Sequence, residues 1–246
     1  LDQREQKKWK EGIKAGNLYI NRGTTGAVVL RQPFGGMGKS ALGAGIKAGS
    51  PSYVAQFMNF KESGMPPAGP IDQDHPLLRE AHHWKQELDW NMMSELEPDL
   101  RKTIRAIQSY IYHFELEFGR ENDYFHLRGQ DNILRYLPLG RIMVRVHKKD
   151  SLFEVLARIA AVHITGNELI VSIPPDTQST AVKFLQGEDG KRILQGTELS
   201  YHTDEQVIEM IPNLKRIRYA AQDRVPQAVF KAAAETGFYI ARTPVM

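Results

Sequence analysis

Residues 17–49 carry the strongest chemical signal in the chain. Thr24-Thr25-Gly26-Ala27-Val28-Val29 is followed by Gln32-Pro33-Phe34-Gly35-Gly36, then by Ser40, Gly43 and Lys47-Ala48-Gly49. Glycine at that density lets backbone approach a ligand or a neighbouring strand closely, and it admits positive φ. Pro33 fixes the turn, and Phe34 then presents a rigid apolar wall. The same residues also suit a glycine-rich turn that holds nothing. The 246-residue chain contains no cysteine. That excludes a thiolate nucleophile, a thiolate metal site and disulfides. His82 and His83 are adjacent, so they cannot share one helical face as ligands at i and i+4 do. His113, His126, His147, His163 and His202 show no ligand spacing. The residues therefore assign no catalytic and no metal-binding position. Trp84 and Trp90 read as core or interface anchors, and Lys148-Lys149 and Arg216/Arg218 as exposed strand-end charge.

The order and spacing of Asn17-Leu18-Tyr19-Ile20-Asn21, Thr25-Gly26-Ala27 and Pro33-Phe34-Gly35-Gly36 resemble the end of the catalytic domain of aldehyde dehydrogenases. More narrowly, they are similar to the glutamate semialdehyde (pyrroline-5-carboxylate) dehydrogenase branch. The likeness covers residues 15–60. It implies an anchor loop in which the backbone N–H groups of Gly26 and Ala27 hold the substrate carboxylate, a use of oriented amide dipoles. It also implies that Phe34 lines the aliphatic part of the substrate. Ala41 departs from the pattern, since the family has glycine after the serine. The family's cysteine nucleophile, general base and main NAD-binding domain lie upstream of this tract, so none is expected here.

The elements that must position these residues fall into three stretches. Residues 1–62 open with a polar helix-like run, Gln3 to Ala15, and continue as an extended glycine-rich tail. Residues 63–75 hold prolines and glycines that break helix and strand alike, the signature of a linker. Residues 76–246 alternate helix and strand. Hydrophobic residues make up 41% and charged residues 25% of the chain, an ordinary globular composition. Lys and Arg total 32 against 29 acids, and the charges are interspersed, which argues against a nucleic-acid partner. No apolar run reaches the ~20 residues of a membrane span. Leu1 to Lys10 is too charged for a signal peptide, and cytoplasmic residence is the expectation. A start on Leu1 instead of Met fits a piece of a longer chain.

Within 76–246, Leu100, Ile104, Ile107, Ile111, Phe114 and Phe118 form one helical stripe. Ser94 with Glu97 suits a capping box at its start, and Gly119 a stop. Strand-like Ile142 to Val146 leads to a helix capped by Ser151 and Glu154. Leu169-Ile170-Val171 is a second strand, followed by a helix near Thr180 to Leu185. Leu199 to Tyr201, a helix over Asp204 to Met210, Lys215 to Ala220, a helix from Pro226 to Glu235, and Phe238 to Ala241 complete the series. Gly187 to Gly196 reads as a loop. Such alternation predicts an α/β fold, a Rossmann-like parallel sheet with helices on both faces.

Residues 132–173 and 215–235 are similar to the extra C-terminal domain of long bifunctional proline utilization A proteins. That domain itself resembles the nucleotide-binding domain of an aldehyde dehydrogenase. Three positions depart from cofactor-binding relatives. His147-Lys148-Lys149 stands in place of Pro-Trp-Asn, Ile173 in place of the ribose lysine, and Ala220-Ala221-Gln222 in place of Thr-Gly-Ser. Ala221 and Gln222 oppose the close backbone approach that glycine allows to phosphate. The expectation is a retained fold that binds no cofactor, in a parent that uses FAD for proline and NAD for glutamate semialdehyde. The partners implied are the remainder of the catalytic domain and the proline dehydrogenase domain, with a homo-oligomer through an exposed edge strand as a further one. A non-catalytic structural module, as tunnel lid or assembly surface, is the alternative. A free-standing nucleotide-binding protein is a third reading, which the three lost positions oppose.

Overall fold

The computed structural model describes residues 1–24, 31–41, 43–61, 64–65, 69, 74–87 and 90–242, with backbone only at 85–87 and 90–94. The linker expected at 63–75 lies mostly outside the described residues. The chain divides into two compact units, one formed by Leu1–Asn59 with Glu121–Arg135, the other by Phe60–Arg120 with Tyr136–Met246.

The first unit begins with helix α1 (Gln3–Gly12). Asp2 caps it, accepting from the N–H groups of Arg4 and Glu5, while the Glu5 carboxylate reaches back to the Asp2 N–H. That reciprocal bonding satisfies donors a helix start otherwise leaves unpaired. The C-terminal end of α1 is tied to the 121–135 segment. Arg135 donates to the Lys10 carbonyl at 2.7 Å, and Lys10 pairs with Glu121. The segment itself is a short antiparallel pair of β1 (Asn122–Asp123) and β2 (Ile133–Leu134). Its turn is organised by the Asp123 carboxylate, which accepts from the N–H groups of Phe125, His126 and Asn132. The Asn132 bond leads the effects that lower the Asp123 pKa.

The second unit carries helices α2 (Pro76–Glu87) and α3 (Trp90–His113), the latter running into a π-turn over Phe114–Phe118. The predicted stripe is real, with Leu100, Ile104, Ile107 and Ile111 all buried. The helix starts at Trp90, ahead of the expected cap at Ser94, and it carries Pro98 inside. Burial of the stripe against the next helix outweighs the one backbone bond that proline forfeits. The stop at Gly119 stands, its N–H donating to the Phe114 carbonyl at 2.6 Å.

A five-stranded parallel sheet follows, built from β3 (Arg141–Arg145), β4 (Glu168–Ile173), β5 (Leu199–Tyr201), β6 (Arg216–Arg218) and β7 (Ile240–Ala241), in the order β5-β4-β3-β6-β7. Helices α4 (Leu152–Ile164), α5 (Thr180–Gln186) and α6 (Glu188–Leu194) pack with α2 and α3 in one core that also takes Ile142, Val144, Leu169, Val171 and Ile173. Helices α7 (Asp204–Met210) and α8 (Gln227–Thr236) contribute to a second core with Met143 and Ile217. Alternate strand residues thus serve opposite faces, as the pleat requires. This is the Rossmann-like α/β arrangement that the alternation predicts.

Two local readings are corrected. Gly187 to Gly196 is not a loop, because α6 runs through it. A Cβ on Gly190 would lie 2.3 Å from the Cα of Leu185, so glycine there serves the close approach of α6 to α5. Arg216 and Arg218 are not exposed strand-end charge. Arg216 stacks on the Tyr239 ring at 4.9 Å, and both arginines are half-buried. Burial is the first cause that brings the Arg218 pKa down to about 10.

Candidate functional site

In the first unit, Gly26 and Ala27 lie outside the described residues. Phe34 is within them, and its backbone forms an antiparallel bridge with Ala48, with both bonds at 3.0 Å. Phe34 is 56% exposed, which suits a wall that meets a ligand or partner. The turn that presents it is clamped by a residue that spacing alone does not flag. Asn17 donates from Nδ2 to the Pro33 carbonyl at 3.0 Å, and its Oδ1 accepts the Gly35 N–H at 3.1 Å. Lys47 closes the turn from the other side by donating to the Gly35 carbonyl, and burial lowers its pKa. Gly16 fits only as glycine, since a Cβ would sit 1.9 Å from the Gly35 oxygen. Ala41 has φ −104° and ψ 146°, extended backbone open to any residue, so its departure from the family pattern costs nothing locally.

In the second unit, strand order reverses between β3 and β6, the point where open α/β sheets form their ligand crevice. A cavity of about 260 Å³ lies there, lined by Arg145, Val146, His147, Pro174, Asp204, Tyr219, Asp223, Arg224, Val225 and Pro226. Two charge networks build its floor. Arg145, 2% exposed, donates to Ser172 Oγ at 2.8 Å, to the His202 carbonyl at 2.9 Å and to Asp204 at 2.8 Å. Ser172 Oγ also lies 3.0 Å from His202 Nδ1. Arg158 on α4, fully buried, pairs with the buried Asp150 and donates to the carbonyls of Arg145 and Arg218 at 2.9 and 3.2 Å. One guanidinium therefore bridges the ends of β3 and β6 across the switch point. Arg224 donates to Asp150 at 2.7 Å and to Glu154 at 2.6 Å. Burial alone would lower its pKa, and the bonds to Glu154 and Asp150 outweigh that and raise it.

The three departures from cofactor-binding relatives have clear structural settings. The His147 N–H donates to Asp150 at 3.0 Å. Ile173 is fully buried in the helix-side core. Ala221 is extended, at φ −150° and ψ 162°, and leads into a 3₁₀ turn at Gln222–Arg224, with α8 starting only at Gln227. No glycine turn opens directly onto a helix N-terminus there. Among the described residues no group of three or more His, Asp or Glu could hold a metal ion, and no helix is long and apolar enough to cross a membrane.

His147, His163 and His202 all have pKa values below the ordinary histidine value, burial being the first cause for each. Such a histidine stays neutral in the fold while the unfolded chain takes up protons near pH ~6.5. Stability is thus present above that pH and is lost as the pH falls through it toward the depressed native values. The urea midpoint should decline from pH 7 to 5, and His163→Gln should flatten the decline. A midpoint flat across that range would contradict the burial of these rings.

The fold and the glycine-rich tract together define an aldehyde dehydrogenase-like α/β protein, and residues 1–63 match the Aldehyde dehydrogenase family. More particularly, the chain is similar to proline-catabolic proteins. It is 46% identical over 181 residues, 74% of this chain and 13% of the relative, to the Bifunctional protein PutA of Rhizobium meliloti. It is 52% identical over 54 residues, 22% of this chain and 10% of the relative, to a 1-pyrroline-5-carboxylate dehydrogenase of Bacillus thuringiensis. Among solved structures, Proline Utilization A from Corynebacterium freiburgense superposes over 100% of this chain and 20% of its own, with a TM-score of 0.64 and 30% identity. The chain is thus similar to one part of these longer proteins, and it spans about 13% of the length of the first curated relatives it matches.

Proposed function

We propose that this chain supplies the substrate-anchor end of an NAD-dependent glutamate semialdehyde dehydrogenase within a bifunctional proline-catabolic protein that also oxidises proline with FAD, in the cytoplasm. The observation that carries the proposal is the Thr25-Gly26-Ala27 and Pro33-Phe34-Gly35-Gly36 tract inside the stretch that matches the aldehyde dehydrogenase family. The clamp of Asn17 and Lys47 on the Phe34 turn supports it, because a presented wall must be rigid to discriminate. Gly26 and Ala27 hold the carboxylate through backbone N–H groups, and Phe34 packs on the aliphatic carbons. NAD, when bound, accepts the hydride from the substrate. The reaction needs a cysteine nucleophile, which this chain lacks, so the chain alone does not turn over. Exposed Val54, Phe57 and Met58 favour the rest of the catalytic domain as the partner of this unit.

The second unit is a non-catalytic module in this reading, a lid or an assembly surface. Support comes from Arg158 bridging β3 to β6 and from Ala221 and Gln222 standing where a pyrophosphate needs glycine. The anchor assignment is tested by Ala27→Asp in the full-length parent. A carboxylate beside the substrate carboxylate should lower kcat/KM for the semialdehyde about tenfold, by like-charge repulsion. Unchanged steady-state kinetics would remove Ala27 from the site.

A further inference from the structure

The turn that presents Phe34 has no backbone donor left for a ligand. Both polar groups of Phe34 are spent on Ala48. Gly35 gives its N–H to Asn17, and its carbonyl accepts from Lys47. The Pro33 carbonyl accepts from Asn17, and proline has no N–H to offer. A ligand at this turn is therefore read by contact with the Phe34 ring and by the charge that surrounds it.

That charge has one sign. Residues 12–59 carry Lys14, Arg22, Arg31, Lys39 and Lys47 and no Asp or Glu, in a chain with 29 acids. The first four are exposed, where salt screens them, and Lys47 is partly buried. The antiparallel bridge of Phe34 to Ala48 places Lys47 opposite Gly35. The lysine stem occupies room that only glycine leaves, since a Cβ on Gly35 would lie 3.3 Å from Lys47 Cγ. Among the described residues its ammonium has the Gly35 carbonyl and no carboxylate, and burial is what lowers its pKa. A partly desolvated ammonium without a counter-ion costs free energy, which a nearby anion offsets.

We propose that Lys47 is a positioning residue that sets the preference of this site for aldehydes bearing a carboxylate, by holding the Phe34 turn and by placing one uncompensated charge behind it. Gly26 and Ala27 contact the carboxylate, and Lys47 adds a field that favours it over a neutral group. Asn17 holds the same turn but brings no charge, so it shapes the wall for any aldehyde. The inference rests on the glutamate semialdehyde reading of residues 1–63 and names the residue that selects for the substrate's charge.

The test is steady-state kinetics of the full-length parent with glutamate semialdehyde and succinate semialdehyde, which carry a carboxylate, and with propanal and butanal, which do not. The readout is the ratio of kcat/KM for charged over neutral aldehydes. Lys47→Met keeps the stem over Gly35 and removes the charge. Its ratio should fall about fivefold, the effect of a unit charge ~10 Å from a carboxylate at a protein surface. Lys47→Arg keeps the charge and should hold the ratio within about twofold. Asn17→Ala should depress charged and neutral aldehydes alike and leave the ratio in place, which is also what a merely structural Lys47 would do. Thermal melts check folding, and Lys47→Gln, also neutral, carries the test if Lys47→Met does not fold. A ratio unmoved by the neutral variant overturns the proposal. So does an equal fall with Lys47→Arg, which assigns the effect to geometry and not to charge. Failure of the anchor reading is separate, because Ala27→Asp then leaves the charged aldehydes unaffected.

Discussion

Asp150→Ala is expected to destabilise the second unit by ~3–5 kcal/mol, the cost of removing one member of a buried ion pair. The Asp150 side chain is fully buried and accepts from three directions, namely the Arg158 guanidinium, Arg224 and the His147 N–H. Its loss leaves the Arg158 guanidinium buried without its paired carboxylate. Arg158 would still hold the carbonyls of Arg145 and Arg218, but neutral acceptors offset little of the charge. Urea unfolding followed by far-ultraviolet circular dichroism measures the effect. The double variant Asp150→Ala/Arg158→Met should recover part of the loss, because two apolar groups leave no orphan charge. Recovery should be incomplete, since the carbonyls at the ends of β3 and β6 then lose their donor. A midpoint unmoved by Asp150→Ala would mean that the pair does not hold the switch point together.

Trp84→Ala should cost ~3–5 kcal/mol by the same assay, through lost apolar burial plus the cavity left behind. Trp84 on α2 is fully buried and meets Phe184 of α5 edge to face, with ring centroids 5.6 Å apart at 88°. Edge-to-face pairing adds ~0.5–1.5 kcal/mol beyond area burial. The indole Nε1 is buried without a partner, which works against the tryptophan. Trp84→Phe therefore separates the two effects. It removes the orphan donor while keeping an aromatic ring against Phe184, and it should cost far less than Trp84→Ala. Equal losses for the two variants would show that the indole, not the aromatic contact, anchors α2.

Much of the second unit is legible in the amino-acid pattern. Short apolar runs place β3 and β4, Ser151 and Glu154 mark the start of α4, and Gly237 ends α8 at φ 67°. These features are local, so local residues suffice to specify them. The helix over Glu188–Leu194 is not legible, because glycine reads as a breaker until its neighbour is known. Gly190 is glycine because α5 presses against it, and that contact is tertiary. Arg158 gives no signal either. It sits among Val155, Leu156, Ile159 and Val162 in an apolar run, and only the approach of β3 and β6 explains its charge.

The candidate sites divide in the same way. The glycine-rich tract and Phe34 stand out by residue type, and so do the substitutions at His147, Ile173 and Gln222. Asn17 does not, because it lies 16 residues from the carbonyl it holds and asparagine is ordinary in any turn. The cavity at the switch point is invisible in one dimension. Its lining comes from segments that follow β3, β4, β5 and β6, brought to one edge by the crossover order of the sheet. Residue periodicity thus determines the layers and faces of this protein, since each depends on neighbours within a turn or a pleat. Which charges are buried and where a cavity opens depend on strand order, and only the assembled sheet decides them.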